Sequence, residues 1–242
     1  MRKPVPEQEH QRGFTLIEIA LVLIIIGVLA NAFLQPLGSR LESAKRDETA
    51  HTLLLIEQAV IGFVAAHGRL PCPAPPDQRA VERTTCSGAD AQGVVPAVTL
   101  GVPGQRNEFG AAVDAWNQPI RYVVSQADNG TAGNSGSPDF TTAGELSQVG
   151  MAELASELQI CASPASGACP RRSLLANQIP VLFYSTGQPD KLSEVEKENT
   201  DFDNVFVHRD FSQVEDQHFD DLIRWIPENL LFFQLLQAGV LP

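Results

Sequence analysis

The sequence predicts an α+β fold, in which one long N-terminal helix precedes a small, mostly antiparallel sheet with long loops. An apolar run near the N-terminus continues into a segment with helical hydrophobic spacing. The rest of the chain breaks into short β-branched stretches between loops rich in glycine and proline. Because 43% of the 242 residues are hydrophobic, the chain can bury a core.

The first half of the predicted helix is an apolar run over residues 14–34, in which Thr15, Glu18 and Asn31 are the only polar residues. Its 21 residues match the length that spans a bilayer as a helix. Basic residues precede the run, so we expect a cytoplasmic N-terminus, a transmembrane helix and an exported remainder.

Residues 35–68 continue the helix as an amphipathic segment that packs on the globular domain. Pro36 removes one backbone hydrogen bond, so we expect a bend or local melting of the helix there. Gly68 and Pro71 predict the end of the helix. The apolar stripe of this segment comprises Leu53, Ile56, Val60, Phe63, Val64 and His67.

Residues 69–242 form the predicted globular domain, whose elements follow from β-branched stretches and from helix start and stop signals. The predicted helices run from Thr142 to just before Cys161 and over residues 228–238. The predicted strands lie at residues 94–100, 120–125, 180–185, 204–209 and 222–226.

Composition and motifs exclude several functional classes. The chain has 17 Lys and Arg against 29 Asp and Glu, and a net charge of −12 disfavours direct nucleic-acid binding. Its histidines lack metal-ligand spacing, and the sequence has no phosphate loop or serine nucleophile motif. Asp220 and Asp221 are adjacent on a predicted strand, so they point to opposite faces and form no acid–base pair. We therefore expect no catalytic residues and no enzyme.

The start of the apolar run contains a motif that indicates the class of protein more specifically than the hydropathy of the run does. The chain resembles the leader junction of type IV prepilins and type II secretion pseudopilins in the segment Gly13-Phe14-Thr15-Leu16-Ile17-Glu18. The resemblance implies that prepilin peptidase removes the leader peptide, residues 1–13, and methylates Phe14. It also implies that Glu18 meets the free amine of a neighbouring subunit, because a buried carboxylate and ammonium cost less as a pair than alone.

The resemblance implies a pilin-like fold and a structural role as a minor pilin or pseudopilin. The chain would be a single-pass protein of the bacterial inner membrane, with its globular domain in the periplasm or on a filament. Its implied partners are other pilin or pseudopilin subunits, prepilin peptidase and the inner-membrane assembly platform. A type IV pilus, type II secretion and DNA uptake remain open as the machine served. The stretch from Asp114 to Tyr122 also resembles major pseudopilins, with Asn117 in place of a glycine.

A different class of protein remains as the alternative. Ala30-Asn31-Ala32 fits a small-x-small cleavage site, so the first 32 residues could be a conventional signal peptide. The mature chain would then be a soluble periplasmic or secreted binding protein or enzyme. Glu18 counts against this interpretation, because a carboxylate in an apolar segment is costly unless it has a partner.

Two groups of residues stay open as structural sites. Export to an oxidising compartment favours disulfides among the four cysteines. Of the three possible connectivities, we favour the one with two local bridges, Cys72–Cys86 and Cys161–Cys169. Residues 190–221 carry eleven acidic and three basic residues. Such a loop is solvated, docks a partner or binds a cation, and calcium suits carboxylate oxygens. Major pseudopilins carry calcium in the comparable loop, so the resemblance makes calcium the candidate cofactor. The candidate ligands are Asp190, Asp201 and Asp203.

Overall fold

The structure is a computed structural model that describes residues 14–130, 137–148, 153–163, 168–189, 193–201, 203–214 and 217–239, without the side chains of residues 30–37. The chain divides into two compact units, Met1–Ala44 and Lys45–Pro242. The helices are α1 (Leu16–His67), α2 (Ala97–Leu100), α3 (Glu145–Gln148), α4 (Glu194–Lys197) and α5 (Glu228–Gln237). The strands are β1 (Gln92–Val94), β2 (Arg121–Val124), β3 (Leu158–Cys161), β4 (Leu174–Ile179), β5 (Val181–Ser185), β6 (Val205–Val207) and β7 (Leu222–Ile226).

Helix α1 has 52 residues and includes both the apolar run and the amphipathic segment. The helix continues through Pro36, so the local melting expected there does not occur. It ends as predicted: Gly68 has a φ of 63°, and its N–H donates to the carbonyl of Val64 at 2.8 Å. Glycine adopts this left-handed conformation without a side-chain clash, and it satisfies a carbonyl of the last turn.

The second half of α1 supplies the core of the globular unit. Leu53, Ile56, Val60, Phe63 and Val64 are buried, as the stripe predicts. His67 is exposed, and its ring stacks on Phe63 with a centroid distance of 3.9 Å. The stripe therefore ends at Val64.

Within the described residues, the strands form two sheets that are mostly antiparallel, which confirms the predicted fold class. One sheet has the order β1-β2-β5-β7 with antiparallel pairs. The other has the order β4-β3-β6, in which β3 and β6 are parallel. The residues of β2 alternate between two cores: Tyr122 and Val124 join the core with α1, whereas Val123 joins the core with β3 and β6.

Several predicted elements differ from those observed. The predicted strand at 94–100 is wrong after Val94, because Pro96 precedes a helical turn at Ala97–Leu100. The helix predicted to approach Cys161 is wrong in its second part, since α3 is one turn and Leu158–Cys161 is strand β3. Strand β4 has no clear alternation and is largely exposed, so its residues carry no strand signal.

One stretch of the described chain is long and apolar enough to cross a membrane, Gly38–His67, with a mean hydropathy of 1.5. One third (33%) of an apolar 18-residue segment within it is buried, because this stretch contains the core stripe. The apolar stretch Leu16–Leu29 is shorter, and the structure does not describe the side chains of residues 30–37 that follow it. The predicted span at 14–34 therefore remains a prediction.

Candidate functional site

Phe14 and Glu18, two of the residues predicted for processing and assembly, lie at the start of α1. Gly13 lies outside the described residues, whereas the side chain of Phe14 is 77% exposed. Glu18 lies in the first helical turn, where its N–H donates to the hydroxyl oxygen of Thr15 at 3.4 Å. Thr15 therefore caps the helix, a role that the Thr-x-x-Glu pattern indicates and that was not assigned from the sequence. The N-terminal end of the helix dipole favours a carboxylate at this place.

The surface around Glu18 is apolar and exposed. Leu16 is 91% exposed, Ile17 is 78% exposed and Leu23 is 63% exposed. Glu18 is the only charged residue between Phe14 and Leu29. An apolar surface of this kind requires lipid or another protein as its partner.

Two local disulfides close loops of the globular unit. Cys72 is bonded to Cys86 across a Cα–Cα distance of 5.4 Å, and Cys161 is bonded to Cys169 across 5.7 Å. These are the pairings favoured from the sequence. The first closes the loop that follows α1, and the second joins β3 to the segment before β4.

Asp114, in the stretch that resembles pseudopilins, organises a turn. One carboxylate oxygen accepts the backbone N–H of Trp116 at 2.9 Å and of Gln118 at 2.8 Å. The other accepts the hydroxyl of Ser185, at the end of β5, at 2.5 Å. Asn117 has a φ of 65°, the conformation for which a glycine would be favoured. The motif therefore joins this turn to β5.

A buried carboxylate network lies between α4 and β7. The two oxygens of Glu196 accept the backbone N–H groups of Ser193 at 2.7 Å and Asp220 at 2.6 Å. The Nδ1 of His218 lies 3.3 Å from Glu196, and its Nε2 lies 3.9 Å from Asp220. The network thereby links the first part of the acidic loop, residues 190–221, to its last residues, which directly precede β7.

The two carboxylates of this network have opposite pKa shifts. Burial favours the protonated form of Glu196, but hydrogen bonds from Ser193, Asp220 and His218 outweigh it and lower the pKa. Burial raises the pKa of Asp220 to about 6, and the charge of Glu196 adds to that shift. Asp221 is also buried, and burial raises its pKa well above the usual value while the Nδ2 of Asn199 donates to it at 2.6 Å.

Glu196, His218 and Asp220 offer ligand atoms within 4.8 Å of one another. Both oxygens of Glu196 already accept backbone N–H groups, and the two imidazole nitrogens face different carboxylates. Both oxygens of Glu196 are therefore satisfied within a network that holds the loop, whereas one buried oxygen of Asp220 has no hydrogen-bond partner among the described residues. Sequence reasoning missed Glu196 and His218, although Ser193-x-x-Glu196 matches a capping box that the structure contains.

The predicted calcium ligands lie partly outside the described residues. Asp190 is among the residues not described, whereas Asp201 and Asp203 lie together with Glu198, with ligand atoms within 4.8 Å of one another. One oxygen of Asp203 accepts the N–H of Val205 at 2.7 Å, and burial raises the pKa of Asp203. The carboxylates are close enough for one cation, but part of their hydrogen-bonding capacity is used by the loop itself.

Comparison with known proteins finds one sequence motif and several relatives that match about a quarter of the chain. The prokaryotic N-terminal methylation motif matches residues 10–30. Type II secretion system core protein G of Klebsiella pneumoniae is 36% identical over 63 residues, which are 26% of this chain and 45% of that protein. The same protein of Pectobacterium carotovorum subsp. carotovorum is 36% identical over 62 residues, 26% of this chain and 40% of the relative. The chain thus spans less than half the length of these curated relatives. No solved structure is significantly similar to it.

Proposed function

We propose that this chain, which belongs to the pseudopilin and prepilin family, is a minor pilin or pseudopilin of a type IV pilus or type II secretion pseudopilus. In this proposal prepilin peptidase cuts after Gly13, and the subunit assembles through its N-terminal helix. The chain is anchored in the bacterial inner membrane, with its N-terminus in the cytoplasm and its globular domain in the periplasm. Its partners are other pilin or pseudopilin subunits and the inner-membrane assembly platform.

The isolated carboxylate of Glu18 is the observation that carries this proposal. It is the only charge on an exposed apolar surface in the first turn of α1. A carboxylate is expensive in lipid without a partner. Cleavage after Gly13 creates an ammonium group on Phe14, and the ammonium of a neighbouring subunit pairs with Glu18 on assembly. The pair lowers the cost of burying either charge.

Cleavage site variants distinguish the proposed function from the signal-peptide alternative. We expect Gly13→Val to leave the precursor uncut, because a branched side chain replaces the glycine at the peptidase site. Ala32→Phe is expected to leave processing unchanged. Intact mass of the membrane-extracted protein gives the readout, in a bacterium that carries a prepilin peptidase.

Gly38→Val controls for the loss of a helical glycine, since a Cβ at Gly38 would have no atom within 4 Å. It is expected to be processed normally. A normal mature mass for Gly13→Val together with an uncut Ala32→Phe chain would establish the signal-peptide alternative and overturn the proposal.

The calcium site at Asp190, Asp201 and Asp203 stays a prediction, and it has a direct test. Added calcium is expected to raise the melting temperature of the protein and protect the acidic loop from proteolysis, because bound ligand stabilises the folded state. Asp203→Asn should remove both effects. Asp77→Asn, which changes an exposed carboxylate elsewhere, should keep them. If calcium changes neither stability nor cleavage in the unaltered protein, the loop binds no calcium.

A further inference from the structure

A cavity of about 340 Å³ lies on the sheet at β1, β2 and β5, within the globular unit. This volume is at the lower end of the range for ligand pockets. Gly93, Val123 and Tyr184 contribute to its lining from the strands, Pro76 contributes from a loop, and Ala89 and Thr200 contribute from short 3₁₀ helices. Val123 and Tyr184 are almost fully buried, so the cavity is formed on well-packed residues. The charged residues of the lining are Arg83, Asp90 and Arg121.

The guanidinium of Arg83 is held in place by hydrogen bonds, and its charge is neutralised by an ion pair. Its Nη1 donates to the carbonyls of Pro73 and Gln92, each at 3.3 Å, and its Nε lies 3.3 Å from the carboxylate of Asp90. A Cβ on Gly93 would lie 2.8 Å from the same Nη1, so the glycine makes room for the guanidinium. The charges of Arg83 and Asp90 therefore cancel.

Arg121 is the second cation of the cavity lining. It begins β2, pairs across the sheet with Tyr184, and is half-buried. Among the described residues, its side chain makes no hydrogen bond and no ion pair. A guanidinium has five N–H donors in a planar fork, and withdrawing it from water without a partner costs free energy.

We propose that this cavity binds a carboxylate on a small apolar stem, and that Arg121 provides the bidentate contact. A planar guanidinium matches a carboxylate with two parallel hydrogen bonds. One uncompensated positive charge balances one carboxylate. Val123 and Pro76 suit an apolar stem.

This binding activity is independent of the proposed assembly role. A free organic acid and the C-terminal carboxylate of a polypeptide share the required chemistry. The test is isothermal titration calorimetry on the full chain in detergent, with butyrate, an acetylated tripeptide with a free C-terminus, and the same tripeptide as an amide as probes. We expect millimolar or tighter binding of at least one carboxylate probe and none of the amide. Binding of butyrate alone indicates a free acid as the ligand, and binding of the tripeptide alone indicates a polypeptide.

Arg121→Gln is expected to lower the affinity at least tenfold, and Arg171→Gln, which alters an exposed arginine before β4, should leave it unchanged. Ala89→Trp provides a second variant, because it changes an exposed residue and fills the cavity mouth without removing a charge. Ala89→Trp should also abolish binding, and it provides the test if Arg121→Gln fails to fold. The proposal is overturned if no carboxylate binds at millimolar concentration, if the amide binds equally well, or if the folded variants bind like the unaltered protein.

Discussion

Replacing Glu18 by alanine is expected to abolish incorporation of the subunit into filaments while leaving it in the membrane. The apolar surface around Glu18 is unchanged by the substitution, so the membrane anchor is retained. The ammonium of the neighbouring subunit loses its partner. Breaking a buried ion pair in this way costs about 3–5 kcal/mol, which corresponds to a loss of roughly a hundredfold or more in association. Glu18→Gln should have a similar effect, because it retains the shape and removes the charge.

Asp47→Ala is the matched control, since Asp47 is an exposed carboxylate further along the same helix. We expect it to assemble normally. The measurement is the amount of subunit in sheared or pelleted filaments relative to the amount in membranes. Normal assembly of both Glu18 variants would contradict the proposed pairing.

The second large effect is expected at the buried network beside β7. Glu196→Gln should lower the free energy of unfolding by about 3 kcal/mol near neutral pH, because the backbone N–H groups of Ser193 and Asp220 lose a charged acceptor. Glu194→Gln, on the same helical turn but with an 88% exposed side chain, should change it by less than about 0.5 kcal/mol. Urea unfolding of the detergent-solubilised chain provides the measurement. Equal stability of the two variants would show that the network does not hold the acidic loop.

The opposite pKa shifts give these carboxylates opposite pH dependences. Glu196 has a lowered pKa when folded, so its contribution is present above its unfolded pKa of 4.5 and is lost as the pH falls through the lower folded value. Asp220 has a pKa raised from 3.8 to about 6, so its ionisation reduces stability as the pH rises through that window. The free energy of unfolding of Asp220→Asn, relative to that of the unaltered protein, should therefore be higher at about pH 7 than at about pH 4. The loss of free energy of unfolding caused by Glu196→Gln should be smaller at the lower pH.

The long helix and strands β2, β5, β6 and β7 could be predicted because each has a local signal, whereas β1 overlaps its predicted strand at Val94 alone. The stripe from Leu53 to Val64 repeats at helical spacing, and Val181–Ser185 is apolar and fully buried. Strands β3 and β4 could not be predicted, because β4 is mostly exposed and the apolar spacing before Cys161 also fits a helix. Their pairing depends on tertiary contacts and is reinforced by the bond from Cys161 to Cys169.

The N-terminal site could be predicted from contiguous residues, whereas the other sites depend on distant ones. The motif from Gly13 to Glu18 is contiguous and specific. Glu196 and Asp220 are 24 positions apart and meet through folding of the acidic loop. Arg121 is an ordinary strand residue in the sequence, and only the cavity around it distinguishes it from other arginines.

The N-terminal sequence and intact mass of the protein from its native membrane test the central claim most directly. The proposed function predicts a chain that starts at Phe14 with a methylated amine. A chain that starts at Phe33 would lack Glu18 and the apolar half of α1. That result would contradict the filament subunit and identify the globular unit as a free exported protein.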